Sequence, residues 1–126
     1  MTNDELLREA EKAAENSYCK YSHFRVGAAL LCADGSVFRG CNIENSSYSL
    51  ANCAERTAIF KAVSEGVREF SAIAIAGGSD GDLSAPCYPC GACLQVMSEF
   101  CGGEFRIILT DGEHTLDELM PKRFRL

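Results

Sequence analysis

The sequence predicts an α/β protein in which a mixed β-sheet is flanked by helices. A hairpin pattern comes early in the chain, helical and strand patterns then alternate, and the later strand candidates are short and continuously apolar. With 126 residues there is room for one hydrophobic core, read as a single domain over 1–126. Apolar residues at 47% and charged residues at 24% suit an ordinary globular chain.

Residues 3–18 read as an amphipathic helix, with Leu7, Ala10, Ala14 and Tyr18 on one stripe and Glu5, Arg8, Glu9 and Lys12 elsewhere. Arg25–Cys32 and Ser36–Ile43 are β-prone runs joined at Ala33-Asp34-Gly35, an Asp-Gly turn signal, and so form a hairpin. Asn52–Glu65 reads as a helix with Ala58, Ile59, Ala62 and Val63 apolar and Gly66 as its C-terminal stop. Ala72–Ala76 has no charge and suits a central buried strand. Gly77–Pro89 is loop-like, Cys90–Cys101 is a second helix stopped by Gly102-Gly103, Phe105–Thr110 is a further strand, and Leu116–Met120 is a short terminal helix before Pro121. No repeat, low-complexity tract or linker interrupts the pattern.

Several function classes fall away on composition. A net charge of −6 promises no basic face for tracking a nucleic acid. The longest apolar stretch, around Val26–Ala33, is too short to cross a bilayer. Eight cysteines in so small a chain first suggest a secreted disulfide scaffold. The N-terminus Met1-Thr2-Asn3-Asp4-Glu5 is acidic and no apolar run follows it, so a cytoplasmic location is expected. There, clustered cysteines bind metal or do chemistry more often than they pair.

The cysteines sort by position. Cys19, Cys32, Cys41 and Cys101 stand among apolar neighbours and read as packing residues. Cys53 opens one predicted helix, and Cys87, Cys90 and Cys93 form a Cys-x-x-Cys-x-x-Cys run leading into another. A helix start favours the thiolate that metals need, because its free N–H groups and dipole stabilise negative charge. Two such starts can converge on one zinc. Four cysteines would make a closed structural shell, whereas three would leave a position for water. Glu55, two places after Cys53, bears on that choice. It fits a capping box with Asn52, and it equally fits a proton carrier beside a metal.

Cys53-Ala54-Glu55 together with Pro89-Cys90-Gly91-Ala92-Cys93 resembles the signature of the zinc-dependent nucleoside and nucleobase deaminases. Tyr21–Ala29 and Gly40–Tyr48 resemble two further segments of the small cytidine deaminases, in order along nearly the whole chain. The resemblance implies a three-layer α/β/α fold with a mixed sheet. It implies hydrolytic deamination of cytidine and 2′-deoxycytidine, with ammonia released, as a step of pyrimidine salvage. Cys53, Cys90 and Cys93 would hold one Zn²⁺ per subunit, and Glu55 would be the general acid/base. Arg56 resembles the family's arginine that hydrogen-bonds ligand sulfurs and draws off the negative charge of three thiolates. Asn42 and Glu44, alternating about Ile43, match the pair that holds the ribose hydroxyls. Phe24 and Phe124 match aromatics packed on the pyrimidine, Phe124 reaching over from a neighbouring subunit. Tyr48 completes the pocket across a subunit boundary, Ala54 offers backbone contacts to the base, and the assembly implied is a homotetramer.

Two departures from the family pattern stand out. Leu94 occupies a place where arginine is common, and Cys87 is an extra thiol before the motif. A deaminase of a cytosine-containing antibiotic such as blasticidin S, built on the same scaffold, is the rival enzyme. A structural zinc module using Cys53, Cys87, Cys90 and Cys93 is the rival outside enzymes. His23 and His114 read as surface or turn residues.

Overall fold

The computed structural model describes residues 1–126. Five strands form one mixed sheet in the order β2-β1-β3-β4-β5: β1 (Phe24–Cys32), β2 (Val37–Cys41), β3 (Phe70–Ser79), β4 (Arg106–Leu109) and β5 (Gly112–Thr115). β1 runs antiparallel to both β2 and β3, β3 and β4 are parallel, and β5 returns antiparallel along β4. Four helices complete the chain: α1 (Asn3–Ala14), α2 (Ala54–Ser64), α3 (Gly91–Phe100) and α4 (Leu116–Leu119).

Strand alternation builds the layers. Ile73 and Ile75 of β3 face one way, and Ala72, Ala74 and Ala76 the other. The alanine face, joined by Ala29 and Ile108, receives Leu6 and Ala10 of α1. The isoleucine face, with Ala28, Leu30, Ile107 and Leu109, packs against Ala58, Ile59 and Ala62 of α2 and Met97 of α3. Small residues on one side admit α1 close to the sheet, and the larger side chains fill the other. The result is the expected three-layer α/β/α arrangement. No helix is long and apolar enough to cross a membrane.

Several boundaries differ from the sequence reading. α1 stops at Ala14 and buries Leu6 and Ala13. Leu7 lies at its edge, and Tyr18 is exposed, bridging Ile43. The predicted loop from Gly77 is strand as far as Ser79, because Gly77, Gly78 and Ser79 pair with Val26, Arg25 and Phe24. β5 is an addition: its Gly-Glu-His-Thr sequence carries no apolar alternation, and it forms only because β4 offers it a partner.

Candidate active site

Two helix starts define the site, and local backbone pairing puts them there. After β2 the chain makes a loop closed by Ile43 and Asn52, each N–H donating to the other's carbonyl at 2.9 Å. That closure spends the Asn52 N–H, so no capping box with Glu55 forms. Cys53 is the N-cap of α2, and the Asn52 side chain donates to Thr57 Oγ1 instead. α2 then lies directly on β2 at Gly40, where a Cβ would stand 2.4 Å from both the Ala54 carbonyl and the Ala58 nitrogen. Cys90 is likewise the N-cap of α3, and neither cysteine side chain caps its own helix. Their sulfurs stay free, facing two positive helix ends.

The sulfurs of Cys53, Cys90 and Cys93 all lie within 4.8 Å of one another, with Cys53 and Cys90 at 3.7 Å. A tetrahedral zinc about 2.3 Å from each sulfur needs neighbouring sulfurs about 3.8 Å apart, so the donor set fits that ion. Cys87 is not part of the group. Burial pushes its thiol up to about 11, so it is a poor source of thiolate. Hydrogen bonds from the Cys93 thiol and then from Arg56 hold the Cys53 thiol well below its ordinary value. The Arg56 Nη2 donates to Cys53 Sγ at 3.2 Å, and the guanidinium also reaches Cys93. Leu94 is buried in the apolar core, leaving Arg56 as the guanidinium at the sulfurs.

Glu55 is the buried carboxyl of the site, 4% exposed on the first turn of α2. Burial raises it from 4.5 to about 7, its own backbone N–H opposes the rise, and the Cys53 charge adds to it. A carboxyl poised there gives and takes a proton near neutral pH.

A cavity of about 400 Å³ is lined by Cys53, Glu55 and Cys90 together with Asn42 and Glu44. Ala54, Arg56 and Tyr48 line it as well. The Asn42 amide is partly committed: Oδ1 accepts from the Val26 N–H and the Ser17 hydroxyl, and Nδ2 donates to the Phe24 carbonyl. One N–H of the amide remains for a ligand. Glu44 is fixed by three donors, the Tyr21 and Ser22 N–H groups on Oε1 and the Ser22 hydroxyl on Oε2. These bonds hold its carboxyl below the ordinary value, the Ser22 hydroxyl foremost.

Phe24 and Phe124 do not line the cavity of their own chain. Phe124 is 66% exposed, and its carbonyl accepts from Gln95 of α3. The lining also includes Cys87 and Asn52, and Val26, Ile43, Ala51 and Tyr88, to which the sequence reading gave no role at the site. A larger surface basin, about 530 Å³ between α1 and the loop after β3, mixes Arg8, Lys12 and Arg25 with Glu11 and Glu15 and holds no thiol or buried carboxyl.

A family model described as the cytidine and deoxycytidylate deaminase zinc-binding region matches residues 1–108. Among curated relatives, a cytidine deaminase of Sporosarcina psychrophila is 50% identical over 98% of this chain and 92% of its own. A crystal structure of cytidine deaminase from Burkholderia pseudomallei superposes with a TM-score of 0.89 at 45% identity, covering 98% of this chain and all of that one. A blasticidin-S deaminase of Bacillus cereus is more distant, at 29% identity over 95% of this chain and 90% of its own.

Proposed function

The chain belongs to the zinc-dependent cytidine and deoxycytidylate deaminase family, and from that premise we propose that it converts cytidine and 2′-deoxycytidine to uridine and 2′-deoxyuridine with release of ammonia. The observation that carries this reading is a buried carboxyl, Glu55, beside three convergent sulfurs, of which Cys53 and Cys90 line the same cavity as Glu55, Asn42 and Glu44. Cys53, Cys90 and Cys93 would hold zinc, which when bound supplies the Lewis acidity that turns water into a nucleophile near neutral pH.

The other steps belong to the chain's own side chains. Glu55 would accept a proton from the attacking water and hand it to ring N3, then take the proton of the new C4 hydroxyl, as that becomes the carbonyl, and deliver it to the amine that leaves as ammonia. Its burial keeps solvent from competing for those protons. Arg56 disperses sulfur charge, so the centre stays acidic enough to activate water. The free N–H of Asn42 and the fixed carboxylate of Glu44 would bind ribose hydroxyls. Arg56 is the one cation among the lining residues and is engaged at the sulfurs, so no group is offered to a 5′-phosphate. That favours a nucleoside over a nucleotide or a polynucleotide strand.

The ribose pair also favours cytidine over an antibiotic such as blasticidin S, and Cys87 standing outside the triad argues against a closed four-cysteine module. We read the enzyme as a homotetramer in the cytoplasm. Supporting assembly, Tyr48 is 82% exposed at the cavity rim, and Leu50 and Phe124 also lie open to solvent. Phe124 and Tyr48 would then complete sites across subunit boundaries, and Phe24, 39% exposed, would pack on the pyrimidine. Supporting a reducing compartment, all eight cysteines are free thiols.

Ultraviolet monitoring of cytidine, with and without a zinc chelator, tests the activity. Loss of the cytidine absorbance, abolished by the chelator and restored by zinc, is expected; an unchanged spectrum at high enzyme concentration would refute it. Sedimentation tests the assembly, and a fully active monomer would end the shared-site reading.

A further inference from the structure

We infer that Tyr88 is a positioning residue for the metal centre: through Asp111 it ties the segment carrying Cys90 to the β4–β5 turn. Main-chain pairing does nothing of the kind. From Ala85 to Pro89 no N–H and no C=O enters a main-chain hydrogen bond, and two of these five residues are prolines with no N–H to give.

The one side-chain hydrogen bond of the segment runs from the Tyr88 hydroxyl to Asp111 Oδ2, at 2.5 Å. Asp111 is itself held on its other oxygen by His114 Nε2, at 2.8 Å. The rings of Tyr88 and His114 meet edge to face with centroids 5.8 Å apart, so the tyrosine is oriented as well as tethered. His114 stands in β5 opposite Ile107, which makes the sheet the anchor.

The segment has one further hold. Cys87 rests over β3 at Gly77, where a Cβ would come within 2.8 Å of its sulfur. Two neighbouring side chains therefore pin the approach to Pro89-Cys90, Cys87 against the core and Tyr88 against the turn. Cys90 is the exposed sulfur of the triad, the one a competing ligand reaches first. A loose approach segment would let that sulfur swing away, and a hydrogen bond to a carboxylate is strong enough to oppose it.

The inference rests on the proposed function only in taking zinc as the ion. The test loads the full-length protein with one zinc, adds an excess of a chromogenic chelator, and follows zinc release. Tyr88→Phe keeps the ring and removes the donor, and release should quicken about three- to tenfold. Asp111→Asn should act alike, and the double variant should be no faster than either single one, because all three break the same tie. The zinc-free Tyr88→Phe protein should melt with its parent. An unchanged release rate, additive effects in the double variant, or a lowered melting temperature of the zinc-free single variant would each overturn the inference. A protein that binds zinc and shows the effect yet deaminates no cytidine would refute the proposed function alone. One that binds no zinc would remove both.

Discussion

Glu55→Gln separates catalysis from stability, because the two should move in opposite directions. Glutamine keeps the volume of the buried side chain and cannot carry a proton. Loss of a positioned acid/base slows turnover about 10²- to 10⁴-fold, a barrier increase of about 3–5 kcal/mol. The stability effect follows from burial. The native carboxyl titrates at about 7 against an ordinary 4.5, so ionising it in the folded protein costs about 3 kcal/mol relative to the unfolded chain. Below pH 4.5 both states are protonated and the carboxyl takes nothing from stability. Between about 4.5 and 7 the unfolded chain gives up its proton while the folded state keeps it, so stability falls across that window and has lost that amount once pH passes 7. The substituted glutamine amide does not titrate. Urea denaturation of the zinc-free proteins should therefore show parallel stabilities at pH 4 and an advantage for Glu55→Gln that grows to at most about 3 kcal/mol at pH 8. Turnover is followed on cytidine at pH 7 with zinc content measured in parallel. A variant that retains zinc and near-parental turnover would refute the proton-carrier role. A stability difference independent of pH would refute the burial argument.

Three further outcomes are expected. Arg56→Ala removes the donor at 3.2 Å from Cys53 Sγ and should lower zinc affinity or turnover by about tenfold or more; metal analysis and rates that both match the parent would end that role. Cys87→Ser should keep one zinc per chain and most of the activity, since its sulfur is not in the triad; loss of zinc would restore the four-cysteine shell. Ser22→Ala frees one oxygen of Glu44 and should raise KM for cytidine about three- to tenfold with kcat nearly unchanged, with Ser22→Thr recovering most of the loss. A fall in kcat at constant KM would show that Glu44 is not set by that hydroxyl.

The metal-ligand pattern was legible because it rides on helix starts, where few residues do the positioning. Cys53-Ala54-Glu55 and Cys90-Gly91-Ala92-Cys93 needed only their helices to form. The layers were legible for a similar reason, since alternation in Ala72–Ala76 and in β1 sorts side chains between two faces. What escaped depended on pairing over distance. Asn52 has the better intrinsic capping side chain, yet the cap passes to Cys53 because the Asn52 carbonyl, which would accept the first helical bond, is committed to the Ile43 N–H, and the Cys53 carbonyl accepts from Thr57 instead. Gly77-Gly78-Ser79 has loop composition and becomes strand because β1 lies beside it. Tyr88 carries no local sign of its partner, which is 23 residues away in the turn before a strand that composition does not announce. The C-terminal aromatic poses another problem: Phe124 faces outward, and no reading of one chain brings it to a pocket.

The sheet order has a consequence for who supports whom at the metal centre. α2 follows β2 and α3 follows β3, and these strands stand two steps apart with β1 between them. Two strand spacings come to about 10 Å, which is the separation at which packed helices touch. The gap between the Cys53 and Cys90 helix starts is thus inherited from the pitch of the sheet. Small zinc domains whose ion replaces a core unfold when it is withdrawn. Here seventeen buried apolar residues, Cys93 among them, already hold both helices on one face. The ion is a tenant in a finished frame, so stripping it should silence the chemistry long before it melts the protein.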